Sequence, residues 1–142
     1  MKANPVLIGL LAAIASMVAG SIYLAVTTEK AHEEIVAVAS PDGKYKAVRL
    51  TVSGEHPAPF CVDTVAIFLS IYPDNFVASE SNYEVYSGPC AAPGKRKALP
   101  KIEWVSDRAV RITYAPAPPG EKQPRLKDRD ASLFVQVAFV KQ

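Results

Sequence analysis

The sequence predicts a mainly β chain, with an N-terminal transmembrane helix followed by a single antiparallel β-sandwich or curled β-sheet domain. Three observations carry this expectation. No charged residue stands between Lys2 and Glu29. Beyond Glu29, apolar residues recur at every second position in several short runs, the period of a half-buried strand. Pro, Gly, Asp and Asn clusters separate those runs and act as turns.

The N-terminal segment comes first. Val6 to Val26 reads VLIGLLAAIASMVAGSIYLAV, and at ~1.5 Å per residue that length crosses roughly 30 Å of hydrocarbon. A cleaved secretory signal is the competing reading. Lys2 supplies its basic start, and Val18-Ala19-Gly20 supplies a small-residue cut after Gly20. Ile22 to Val26 continue the apolar run past that cut, and Tyr23 stands where an amphipathic ring meets headgroups. Lys2 precedes the segment while Glu29, Lys30, Glu33 and Glu34 follow it, which orients the N-terminus inwards. The expected organisation is an anchor or signal over 1–28, a juxtamembrane link over 29–34 and a β-rich extracytoplasmic domain over 35–142. The expected address is a bacterial inner membrane, single-pass, with the C-terminal domain in the periplasm or outside the cell, or secreted if the segment is cut.

The strands follow in order. Ile35 to Ala39 is short and β-branched. Ser40-Pro41-Asp42-Gly43 is a turn, because Pro presets φ, Asp bonds its own backbone and Gly takes the left-handed position. Lys44 to Val52 returns, with Val48, Leu50 and Val52 on one face. A loop over 53–60 holds Gly54, Pro57 and Pro59. Val62 to Tyr72 alternates with apolar groups on both faces, which marks a central strand. Phe76 to Ser79 and Tyr83 to Tyr86 read as short strands. Residues 88–99 are turn-rich and basic. Ile102 to Val105 and Arg108 to Tyr114 form a pair, with Val110, Ile112 and Tyr114 inward. Residues 115–130 hold four prolines, Gly120 and seven charges, a long exposed loop. Leu133, Val135, Val137 and Phe139 define a last strand paired into the sheet.

Cys61 and Cys90 are the only cysteines. An even pair in a small exported domain forms a bridge, and a loop of this size contributes about 3–4 kcal/mol by the entropy model. Charge is uneven: residues 50–94 hold five acids and no Lys or Arg, while 95–111 hold six bases and two acids. The basic stretch contains one aromatic, Trp104, so no stacking platform for nucleic acid is present.

Ser-Pro-Asp-Gly-Lys at 40–44, followed by Trp104-Val105-Ser106-Asp107-Arg108-Ala109-Val110-Arg111-Ile112, resembles the strand-turn-strand units of propeller-type periplasmic proteins. It also resembles small uncharacterised membrane-anchored bacterial proteins with one SPDGK hairpin, a Cys pair and one Trp-led hairpin. The motifs cover about a third of the domain and specify turns rather than chemistry. The unit does not repeat, and the remaining 114 residues are too few for the ~four blades of the smallest propellers. The resemblance implies an envelope location.

No catalytic, cofactor or metal constellation is expected. His32 belongs to the link and His56 to a loop, where Glu55 or Asp63 could orient it as a base. There is no nucleophile elbow, phosphate-cradling loop or HExxH, and Asp128 and Asp130 lack calcium-loop spacing. The candidate binding surface is His56 and Phe60 from the first loop with Arg125, Lys127 and Arg129 from the proline-rich arm, since loops on a β scaffold carry recognition. The expected function is a non-catalytic, membrane-tethered protein-interaction domain, with lipid contact through 6–26 and an envelope protein as partner. The alternative is a structural subunit of an inner-membrane complex recruited through its helix, where Gly9, Ala12, Ala13, Ser16, Ala19 and Gly20 suit close packing. A third reading is an envelope hydrolase using carboxylates among Glu80, Glu84, Glu103 and Asp107.

Overall fold

The computed structural model describes residues 9, 13–18, 31–55, 57–91 and 99–142. The chain divides into two compact units, Met1–Lys30 and Ala31–Gln142. In the first, Gly9 and residues 13–18 are helical and exposed. Among the described residues no helix is long and apolar enough to cross a membrane, whereas a span needs ~20 apolar residues. This overturns the expected transmembrane helix, the lipid contact through 6–26, the single-pass inner-membrane and periplasmic placement, and both functions that rested on the anchor. The remainder of 6–26, including the cut after Gly20, lies outside the described residues.

The second unit is mainly β, in two open sheets. Strands β1 (His32–Ala39), β2 (Tyr45–Gly54), β3 (Phe60–Leu69), β4 (Glu84–Pro89) and β7 (Arg125–Leu126) form a five-stranded sheet in the order β1-β2-β3-β4-β7. Strands β5 (Lys101–Ser106), β6 (Ala109–Tyr114) and β8 (Gln136–Lys141) form a second sheet, β5-β6-β8. The expected wholly antiparallel or curled sheet is corrected in two ways. β6 and β8 run parallel, because the excursion over 115–135 carries the chain back to the starting end of β6. Each sheet also ends in its own edge strands, so neither closes on itself.

The first hairpin forms for local reasons. Gly43 takes φ 70°. The Ser40 hydroxyl donates to Asp42 Oδ1 at 2.8 Å and accepts from the Tyr45 N–H at 3.0 Å. The Lys44 N–H donates to the same Asp42 oxygen at 3.1 Å.

The five-stranded sheet is covered differently on its two faces. On one, Tyr45, Ala47, Val65, Ile67, Val85 and Tyr86 pack with Val110, Ile112, Tyr114, Val135 and Val137 from the second sheet and its approach. On the other, Val48, Leu50, Ala66 and Phe68 pack with Val77. That second cover is α1 (Phe76–Ser79) and a 3-10 turn, Ser81–Tyr83. The expected strand at Phe76 is therefore a helical turn. It stacks Phe76 on Tyr72 with ring centroids 4.6 Å apart and sets Phe76 and Tyr83 edge-on to Phe68 at 5.2 and 6.2 Å. Aromatic burial decides a segment whose alternation is too short to decide for itself.

The expected last strand starts later than its pattern suggests. Leu133 has φ 64°, and pairing begins at Gln136.

Candidate functional site

α1 and the 3-10 turn lie over the Phe68 end of their face and leave the other end uncovered. There Phe60 and Val62 are 42% and 39% exposed. Register explains which side chains join them. Val62 pairs with Pro89, Thr64 with Ser87, and Ser87 with Arg125, so the pleat sets Val62, Ser87, Pro89 and Arg125 on one face.

A cleft of about 460 Å³ opens at this place, within the ~300–1,000 Å³ range of small-ligand sites. Its floor is Cys61, Val62, Gly88 and Pro89, and its wall is the arm residues Glu121, Lys122, Gln123 and Arg125.

Two features hold the wall against the floor. Gly88 permits close approach of the arm, since a Cβ there would meet Pro124 at 2.8 Å. Arg125 Nη2 lies 2.9 Å from Glu84 Oε1, with the Glu84 side chain mostly covered and that of Arg125 67% exposed. The guanidinium is oriented by one contact and keeps other N–H donors for a ligand. On the floor, Cys61 and Cys90 form the expected disulfide, with Cα atoms 5.4 Å apart, and the Cys90 N–H donates to the Cys61 carbonyl at 3.1 Å.

The reverse face of these strands, mostly apolar, also buries two polar side chains. Asp63 and Tyr86 are 3% and 2% exposed, and Thr51 donates to Asp63. Burial pushes the Tyr86 hydroxyl up to about 12, with the Asp63 charge and Tyr114 adding to it. Among the described residues no group of three His, Cys, Asp or Glu gathers as a metal site would require.

The structure divides the expected binding surface. Arg125 lines the cleft. Phe60 precedes Val62 on the same face, and its ring lies against Gly54, where an added Cβ would come within 2.6 Å. Lys127 is exposed and uses its N–H on the Val85 carbonyl at 2.8 Å. Arg129 stands elsewhere, donating to the Leu133 carbonyl at 3.4 Å. His56 lies outside the described residues. Of the hydrolase carboxylates, Glu84 stands in the five-stranded sheet and pairs with Arg125, while Glu103 stands in the second sheet and pairs with Lys101, whose hydrogen bond and charge lower its pKa. Sequence reading missed Val62, Pro89 and Lys122. A usable signal was present, because Phe60 and Val62 share strand parity and both precede a central run.

Comparison with protein-family models, with curated proteins and with solved structures finds no match.

Proposed function

We propose that the second unit is a non-catalytic binding module whose cleft takes a small ligand with an apolar body and an anionic group. The observation that carries this reading is the lining itself: Val62, Pro89 and the bridged Cys61 on the floor, with Lys122 and Arg125 outnumbering the one carboxylate, Glu121, on the wall. Apolar walls with a few placed polar groups are the usual composition of ligand sites. An oriented guanidinium favours a carboxylate, sulfonate or phosphate over a neutral head. Ser87 and Glu121 also line the cleft, and among the described residues no hydrogen bond sets that hydroxyl against that carboxylate, so the lining supports binding more directly than nucleophilic chemistry.

The test is a fluorescence titration of the full chain with anilinonaphthalene sulfonate, an aromatic anion. Saturable one-to-one binding is expected. Arg125→Ala is expected to weaken it about tenfold, the ~1.4 kcal/mol of one charge-assisted contact. Val62→Asp is expected to abolish it. Equal binding by wild type and both variants overturns the reading.

A further inference from the structure

The outer edge of β1 has main-chain groups with no ladder of their own. The Ser40 N–H donates to the Tyr45 carbonyl at 2.8 Å, and the Ser70 N–H donates to the Lys44 carbonyl at 2.9 Å. These two bonds fix the phase of the sheet. Even-numbered residues of β2 address β3 and odd-numbered ones address β1. With Ala37 opposite Val48 and Val38 opposite Ala47, alternation turns Val38, Val36 and Glu34 towards β2. Glu33, Ile35, Ala37 and Ala39 therefore direct their N–H and C=O groups off the sheet. β1 is the terminal strand of its sheet, and no backbone hydrogen bond from a described residue reaches these four. Seven of its eight residues are exposed, and Ile35 and Val36 are 36% and 37% exposed.

A long, β-branched edge of this kind is a template for another strand, and stable proteins cover or charge it. Among the described residues the Trp104 indole N–H donates at 2.9 Å to the carbonyl of Val38, which turns towards β2, so this contact occupies none of the four outward residues. The opposite edge of the same sheet, β7, is two residues long and offers no counterpart of matching length.

We propose that β1 pairs with β1 of a second copy of this chain, antiparallel about a two-fold axis, joining two five-stranded sheets into one. The strand is complementary to itself in the register that places Ile35 on the axis. Glu33 then faces Ala37 of the second copy and Glu34 faces Val36, so no carboxylate opposes another. Ile35 faces Ile35, an aliphatic cross-strand pair next to Leu50, its partner in β2. Moving the axis to Glu34 would set the two Glu34 carboxylates against each other, which is destabilising. A closed two-fold pair also consumes both long edges at once and stops at two copies.

The phase of the strand supplies a discriminating variant. Ala37→Pro removes an outward N–H and leaves the β1–β2 ladder intact, a position where proline is tolerated. Light scattering on the full chain, 15.3 kDa, is expected to give twice that mass for wild type and for Ala37→Ser. Ala37→Pro is expected to weaken association at least tenfold. A second readout does not depend on that variant folding. The native cysteines are bridged and no described cysteine is free, so Ile35→Cys introduces a lone thiol that meets its own copy at roughly 5.5 Å between Cα atoms. Mild oxidation is expected to link Ile35→Cys into a dimer and to leave His32→Cys, which faces Val38, largely unlinked. A monomeric wild type, or Ile35→Cys and His32→Cys linking equally, overturns the proposal.

Discussion

Leu133 is a branched residue held at φ 64°, a conformation that costs roughly 1–2 kcal/mol outside glycine. It persists because Asp130, 3% exposed, organises the loop around it. One Asp130 oxygen accepts from the Val135 N–H at 2.9 Å, and the other from the Ser132 N–H at 3.1 Å and from the Ser132 hydroxyl. Asp130→Ala is expected to lower unfolding stability by about 2–3 kcal/mol, since several charge-assisted bonds go at once. Leu133→Gly is expected to raise it by about 1 kcal/mol. Urea denaturation of the two variants measures both. None of this was legible beforehand. Leu133, Val135, Val137 and Phe139 alternate as a strand would, and a buried aspartate interrupts that pattern only through contacts that exist once the loop has folded. Asp42 shows the opposite case. Its turn was readable from Ser40-Pro41-Asp42-Gly43, and the Ser40 hydroxyl, then the Lys44 N–H, hold its pKa below the ordinary carboxylate value. A lowered folded value means stabilisation that is present at neutral pH and lost as pH falls through it. Ser40→Ala is expected to move the Asp42 titration upward, as followed by carboxyl chemical shift.

The strands differ in how much of themselves they declare. β2 and β3 were legible in kind but not in extent: strands expected over 44–52 and 62–72 are Tyr45–Gly54 and Phe60–Leu69, so both ends of the loop expected over 53–60 are strand. The alternation continues past the end of β3, yet Leu69, its last residue, is 39% exposed and Ile71 beyond it 82% exposed. Pairing with β2 ends at Leu69, and alternation alone cannot report where a partner strand stops. β4 carries a consequence of its burial. Tyr86 is forced to stay neutral to about 12, while an unfolded tyrosine ionises near ~10. The unfolded chain releases its proton first as pH rises, so this contribution is intact below ~10 and declines by about 2–3 kcal/mol through the window up to 12. Tyr86→Phe is expected to lose less stability than wild type across that alkaline window, with phenolate absorbance showing one fewer late-titrating tyrosine. In β5, Trp104 ties the second sheet to β1 through Val38. Trp104→Phe is expected to cost about 1 kcal/mol for the missing hydrogen bond.

At the scale of the whole second unit, one covalent link holds the cleft floor. Replacing Cys61 and Cys90 together by serine is expected to lower stability by about 2–4 kcal/mol, read as a fall in Tm, and to weaken probe binding because Pro89 and Val62 no longer share a fixed floor. The local chemistry of the chain was decisive for turns, for the period of the longer strands and for the cysteine pair, since each depends on residues close in sequence or on arithmetic. Tertiary structure decided the rest. The parallel pairing of β6 with β8, the packing of Val77 with Val48 and Leu50 and the meeting of Arg125 and Val62 in one cleft all join segments far apart in the chain. Their energy is packing that no local pattern contains. The extended apolar stretch near the N-terminus shows the same limit from the other side: composition alone predicted a span, and among the described residues no helix is long and apolar enough to form one.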